Sequence, residues 1–284
     1  MGTAPRIGIF DSGIGGLNVA AAIRQALPRE RLLYFGDNAH VPYGERTAEE
    51  ILTFSTAITE ALFAKGCGSV VIACNTASSA ALGPLRGLFP DVPIIGMEPA
   101  VKPAVEYTRT GVVGVLATRA TVEGRAMADV VERFSHGVEV IRQACPGLAQ
   151  RIDAGDFDGE ETERLLRGWI GPMLERKIDA LVLGCTHYPL VRPLIEKIVG
   201  PDVRVIEPSE AIARRVAQVL EQHKLLSPIP PAGSPPRDPE QSGYLECYTS
   251  GDPKAFRSVL ERLGMEDAPV KQGVWEADGT LRLV

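Results

Sequence analysis

The stretches Val70-Val71-Ile72-Ala73-Cys74-Asn75-Thr76 and Leu181-Val182-Leu183-Gly184-Cys185-Thr186-His187 are built alike. Each is a short apolar, β-branched run that ends in a cysteine and then small polar residues, the pattern of a strand buried on both faces of a parallel sheet. A thiol at the carboxyl end of such a strand faces the crevice where open α/β sheets bind ligands. Two thiols delivered by two similar segments can close on one small molecule from opposite sides. That is the layout needed to take a proton from one face and return it to the other.

Working outward, apolar runs alternate with helical patterns. Arg6–Phe10 precedes a helix over Gly15–Leu27, and Leu32–Phe35 precedes a helix over Ala48–Lys65. Val70–Ala73 precedes a helix over Ser78–Leu88, and Pro93–Gly96 closes the series. The order then restarts with a strand at Gly111–Ala117, a helix at Val122–Phe134, a strand at Val138–Arg142, a helix at Glu160–Lys177 and the strand Ala180–Gly184. Strands alternating with helices in this way call for a parallel sheet covered on both faces. Asp11 precedes Cys74 by 63 residues and Thr118 precedes Cys185 by 67, so spacing repeats along with order. The expected fold is α/β: two similar parallel-sheet lobes with helices on both faces and the active site in the cleft between them. Beyond a helix at Ser209–Leu225, the Pro/Gly-rich stretch 227–243 reads as a surface loop. Tyr244–Thr249 and a helix near Pro253–Leu263 then return to the first lobe. The division is residues 1–98 with 208–284 for the first lobe and 99–207 for the second.

With 284 residues the chain can bury ample core. A net charge of −6 with no basic cluster leaves no footprint for nucleic acid. No apolar run approaches the roughly 20 residues of a membrane span. The leader Met1–Arg6 lacks the basic and apolar regions of a secretory signal, so the reading is cytoplasmic. Five cysteines without a close pair, in such a setting, are read as free thiols. Cys67, Cys145 and Cys247 are expected to be packing residues.

Asp11-Ser12-Gly13-Ile14-Gly15-Gly16 follows a strand and opens a helix. Its glycines let backbone approach a ligand and its helix start favours an anion. It matches neither the dinucleotide fingerprint nor a P-loop, and Asp11 can equally be a plain helix cap. The loop Gly36–Gly44 either only turns the chain or offers N–H groups and the Tyr43 hydroxyl to a ligand. In Cys185-Thr186-His187, a histidine two residues from a thiol can move a proton near neutral pH. No spacing supports a metal site. His136 and His223 read as surface residues.

Phe10–Leu17, Pro42-Tyr43-Gly44, Ala73–Ser78 and Gly184–Leu190, with Thr249-x-Gly251-Asp252-Pro253 near the end, resemble the motifs of the glutamate racemases, a family of cofactor-independent amino-acid racemases. The likeness covers nearly the whole chain in the right order. It implies racemisation of L- and D-glutamate, supplying D-glutamate for peptidoglycan, with no cofactor and no metal, in a homodimer. It implies that Cys185 with His187 deprotonates L-glutamate and Cys74 with Asp11 deprotonates D-glutamate. Asp11, Ser12, Pro42, Tyr43, Gly44, Asn75, Thr76, Thr118, Thr121, Thr186 and His187 would line the substrate site. Two positions depart from the family pattern. Asp153, taken with the catalytic residues, stands where the family has a glutamate after the middle strand of the second lobe, and Glu207-Pro208-Ser209 where it has Asp-Ser after the strand preceding the last helix.

The chemistry agrees. A free thiol titrates near 8.5, so a nearby base must help form each thiolate. The carbanion-like transition state needs fixed donors about the α-carboxylate, which Asn75, Thr76, Thr186 and loop N–H groups can supply. An aspartate-specific racemase is the nearest alternative, separated by assaying each amino acid. A fold-retaining binding protein is the alternative from another class. It would bind glutamate without turnover, and it has no need of two opposed acids.

Overall fold

The computed structural model describes residues 5–228 and 243–284. Met1–Ala4 and most of the 227–243 stretch lie outside the described residues. The strands are β1 (Arg6–Asp11), β2 (Leu32–Gly36), β3 (Cys67–Ile72), β4 (Ile94–Ile95), β5 (Val112–Ala117), β6 (Glu139–Ala144), β7 (Ala180–Leu183), β8 (Arg204–Ile206), β9 (Leu245–Thr249), β10 (Val270–Trp275) and β11 (Leu281–Leu283). They form a seven-stranded sheet, ordered β11-β10-β9-β2-β1-β3-β4, and a four-stranded sheet, ordered β6-β5-β7-β8. Pairing is parallel throughout, except for the β10–β11 hairpin.

The order β2-β1-β3-β4 in one sheet is matched by β6-β5-β7-β8 in the other. Strand β1 therefore corresponds to β5 and β3 to β7, which makes Cys74 and Cys185 equivalent in the two lobes. In each sheet the chain leaves the central strand to one side and then to the other. This switch point leaves a crevice at the strand's carboxyl end. Asp11 ends β1 at one such point, and Thr118 follows β5 at the other.

Helices on both faces explain the uniform apolarity of the central strands. Every residue of β2 and β7 is buried, as is all but the first of β1 and β5. Each Val, Leu or Ile so buried contributes about 1.5–3 kcal/mol. β6, at an edge, reads Glu139-Val-Ile-Arg-Gln-Ala and is only partly covered. β9 pairs with β2 over Leu32–Gly36, so the tail returns to the first sheet.

Several local boundaries differ from expectation. The helix expected from Ser78 begins at Asn75, because the Cys74 sulfur accepts the Ala77 N–H at 3.4 Å and caps it. The helix expected over Val122–Phe134 is two, Arg119–Glu123 and Arg125–Phe134, parted at Gly124, whose ψ of 148° is extended. Helices Val101–Tyr107, Leu148–Asp153 and Arg192–Val199, and strands β8, β10 and β11, go beyond the elements expected from the sequence. These short segments carry little periodicity of their own and are held by packing.

Candidate active site

The strand ends of the two sheets face one another across a cavity of about 20 Å³. Ser12 comes from the loop after β1, Val41 to Gly44 from the loop after β2, and Cys74 to Thr76 from the end of β3. The second lobe supplies Thr118 after β5, Ala149 from the Leu148–Asp153 helix, and Cys185 to His187 after β7. Both thiols are nearly buried and wall the same space.

Cys74 donates toward Ser12 Oγ at 3.9 Å while its sulfur caps the helix behind it. Burial, and then the Asp11 charge, push this thiol above its ordinary range. Asp11 is wholly buried; its Oδ2 accepts the Gly16 N–H at 2.8 Å and its Oδ1 the Thr186 hydroxyl at 3.3 Å. Its carboxyl is raised chiefly by burial, against the opposing pull of His187 and of the Gly16 N–H. Asp11 is thus not the cap of the following helix, whose N-cap is Gly16, and it does not wall the cavity; it anchors the Gly16 turn and reaches the second lobe through Thr186.

Cys185 Sγ lies 3.8 Å from His187 Nδ1, and His187 Nε2 lies 3.2 Å from Asp153 Oδ1. Burial disfavours the imidazolium, but the Asp153 charge and hydrogen bond, joined by Cys185, hold the His187 pKa well above the ordinary value. Asp153 stands behind His187 and does not wall the cavity. It is brought to the partition between the lobes, where the same Oδ1 accepts from Ile14 N at 3.3 Å and Asn38 Nδ2 at 3.4 Å. Two glycines permit this close approach. A Cβ on Gly13 would meet Asp153 Oδ2 at 2.7 Å, and one on Gly15 would meet His187 N at 2.6 Å.

Asn75 is the sharpest polar feature of the wall. Its Oδ1 and Nδ2 are both buried and have no partner among the described residues. An amide so placed is costly unless a ligand satisfies it. Thr76, Thr118 and Thr121 form a triangle of hydroxyls with edges of 3.1, 3.4 and 3.0 Å that spans the two lobes. Thr118 walls the cavity, whereas Thr121 lies behind it as the helix residue whose N–H Thr118 caps.

The Tyr43 hydroxyl, one of two ligand groups expected in its loop, is committed elsewhere: it donates to Asp37 Oδ2 at 2.7 Å. Tyr43 nonetheless lines the cavity, and burial followed by the Asp37 charge raises its pKa well above the usual phenol range. His40 stacks on Phe54 at 3.9 Å between ring centroids and is likewise engaged with Asp37. Cys67, Cys145 and Cys247 are buried, and His136 and His223 are exposed. Val41 and Ala149 are wall residues that sequence reasoning missed. Val41 lies inside the candidate loop Gly36–Gly44; Ala149 carries no signal, since its short helix has none. No helix among the described residues is long and apolar enough to cross a membrane.

Fold and cavity together are those of an amino-acid racemase, with paired α/β lobes that present equivalent cysteines to one space. The model of the Asp/Glu/hydantoin racemase family matches residues 16–216. A glutamate racemase of Roseiflexus sp. is 45% identical over 276 residues, 97% of this chain and 98% of its own. Among solved structures, the Escherichia coli glutamate racemase with L-glutamate superposes with a TM-score of 0.80 at 30% identity, over 99% of each chain. The Thermus thermophilus glutamate racemase gives 0.73 at 36% identity, over 95% of this chain and 96% of its own. The chain belongs to the Asp/Glu/hydantoin racemase family, and within it to the glutamate racemases.

Proposed function

We propose that the protein interconverts L- and D-glutamate by passing the α-proton between Cys185 and Cys74 with no cofactor. The observation that carries this reading is that both thiols wall one cavity, with His187 3.8 Å from Cys185 and the buried Asp11 charge acting on Cys74. His187, held by Asp153, serves Cys185; Asp11 serves Cys74. In the L-to-D direction the Cys185 thiolate takes the α-proton from one face, and the Cys74 thiol delivers a proton to the other. His187 and Asp11 set which thiol is ionised at the start. The reverse direction exchanges the roles. The Asn75 amide, Thr76, Thr186, Ser12 and the N–H groups of the Pro42-Tyr43-Gly44 turn hold the two carboxylates and the amine. Thr118, with Thr121 behind it, closes the floor from the second lobe.

A cavity of about 20 Å³ admits roughly one water molecule, so glutamate enters only when the lobes part. The lobes are taken as residues 1–98 with 208–284, and 99–207. The supply of D-glutamate for peptidoglycan, a cytoplasmic location and a homodimer belong to the same proposal.

The test is incubation of the pure protein with L-glutamate in heavy water, without added cofactor. Circular dichroism at the carboxylate band should decay to zero, and the D-product should carry deuterium at Cα. Unchanged ellipticity with no Cα exchange would refute the racemase reading, and exchange with aspartate but not glutamate would move it to the aspartate enzymes.

A further inference from the structure

Asp37, just past the end of β2, is a wholly buried carboxylate that no step of the proton transfer uses. Among the described residues its only ion-pair partner is His40. A lone buried carboxylate is costly unless hydrogen bonds replace its water. Here four donors do so. Oδ2 accepts from the Tyr43 hydroxyl at 2.7 Å and faces His40 Nδ1 at 2.8 Å. Oδ1 accepts from Ser250 Oγ at 2.9 Å and from Trp275 Nε1 at 2.8 Å. Those donors come from three separate places: the loop that walls the cavity, the end of β9, and the end of β10.

The cage is itself braced. The His40 ring lies flat on Phe54 and edge-on to Trp275, with centroids 3.9 and 4.8 Å apart. Ser250 Oγ also accepts the Ala39 N–H at 2.9 Å, and Asp37 N donates to Asp11 O at 3.0 Å. The wall loop therefore has no independent position. Its place against the cavity is set by a carboxylate whose other oxygen is held by the returning C-terminal segment.

We propose that Asp37 is a positioning residue of the active site, which holds the Pro42-Tyr43-Gly44 wall through Tyr43 and His40 and makes Ser250 and Trp275 remote supports of that wall. A wall displaced by even an ångström loses much of its hold on a substrate. The placement of the wall does not depend on which amino acid is turned over. Only the kinetic arm of the test rests on the racemisation proposed above.

The experiment compares wild type, Trp275→Phe and Tyr43→Phe as full chains. Trp275→Phe removes a donor far from the cavity, and Tyr43→Phe removes the link to the wall but keeps its ring. The first readout is the rate at which iodoacetamide alkylates each cysteine without substrate, resolved by peptide mass. Cys74 and Cys185 should react at least fivefold faster in both variants, while buried Cys67 and Cys247 stay at their wild-type rates. The second readout is kinetic: KM for both enantiomers of glutamate should rise severalfold, with a smaller fall in kcat.

If all four cysteines accelerate together, or Cys74 and Cys185 do not accelerate, Asp37 only staples the fold and the proposal fails. Should Trp275→Phe not fold, Tyr43→Phe decides by the same criterion. A wild type that leaves glutamate untouched, with the alkylation contrast intact, overturns the racemase reading and leaves the positioning role standing.

Discussion

Cys74 and Cys185 hold equivalent places but differ in company, and that difference is testable residue by residue. Cys74→Ala or Cys185→Ala should abolish racemisation in both directions, because the proposed transfer uses one thiol as base and the other as acid each way. Near-normal turnover in either variant would remove that thiol from the mechanism. Asp11→Asn should slow proton removal from D-glutamate more than from L-glutamate, and His187→Asn the reverse. Primary isotope effects with each α-deuterated enantiomer read this directly; equal changes in both variants would mean the sides are not so assigned. The His187–Asp153 pair also makes stability depend on pH. The folded-state pKa of His187 is raised, so the pair's contribution is full below about 6.5, its unfolded value, and is lost as pH rises through the folded pKa. Breaking a buried pair costs about 3–5 kcal/mol while the charge left behind persists. Asp153→Asn should therefore lower Tm by several degrees at pH 6, and by progressively less as pH is raised through the folded pKa of His187, followed by thermal melts at increasing pH. A deficit that does not change with pH would place the value of Asp153 in its bonds to Ile14 and Asn38 instead.

At the scale of elements, the strands that deliver the chemistry are legible in the sequence and the short helices are not. β3 and β7 are continuous apolar runs that end in cysteine, and a strand buried on both faces shows in composition alone. The helix start at Asn75 is hidden because a cysteine is not among the usual capping residues, and its sulfur takes that role only in this packing. The Leu148–Asp153 helix has six residues, too few for periodicity to mark, and it is held against the Tyr188–Val191 turn. Yet that helix places Ala149 in the cavity and Asp153 behind His187. The glycine turn after β1 offers the sharpest test here. Gly15→Ala puts a methyl 2.6 Å from the backbone nitrogen of His187, and backbone cannot yield as a flexible side chain would. Racemisation should fall by about 100-fold or more, since the two halves of the site are forced apart, while far-UV circular dichroism stays native. Activity within threefold of wild type would show that the lobes yield at little cost.

Across the whole molecule, the cavity is made by both sheets and belongs to neither. Glutamate binding should raise Tm with saturation, by an amount equivalent to about 2.7 kcal/mol at a hundred times Kd. A fragment of residues 99–207 should bind no glutamate measurable by calorimetry, because Cys74, Asn75 and the Pro42-Tyr43-Gly44 wall are on the other lobe. Tight binding by that fragment would contradict a shared site. A single mutation that loosens one lobe should weaken the response of both thiols, since Thr76 and Thr118, and Asp11 and Thr186, meet across the partition.

The amino-acid sequence by itself determined the alternation of strands and helices, the repeat of that order, and the cysteines at matching strand ends. These are local properties: which residues are apolar, how they are spaced, and which polar residues succeed them. Tertiary structure alone decided that the Tyr43 hydroxyl turns away to Asp37, and that Asp153 serves both His187 and the glycine loop of the other lobe. It also decided that Trp275, more than two hundred residues further along, supports the wall near Tyr43. A hydrogen bond reports no sequence separation. Which donor a buried carboxylate finds depends on where the sheets place both groups, and no periodicity or spacing along the chain records that.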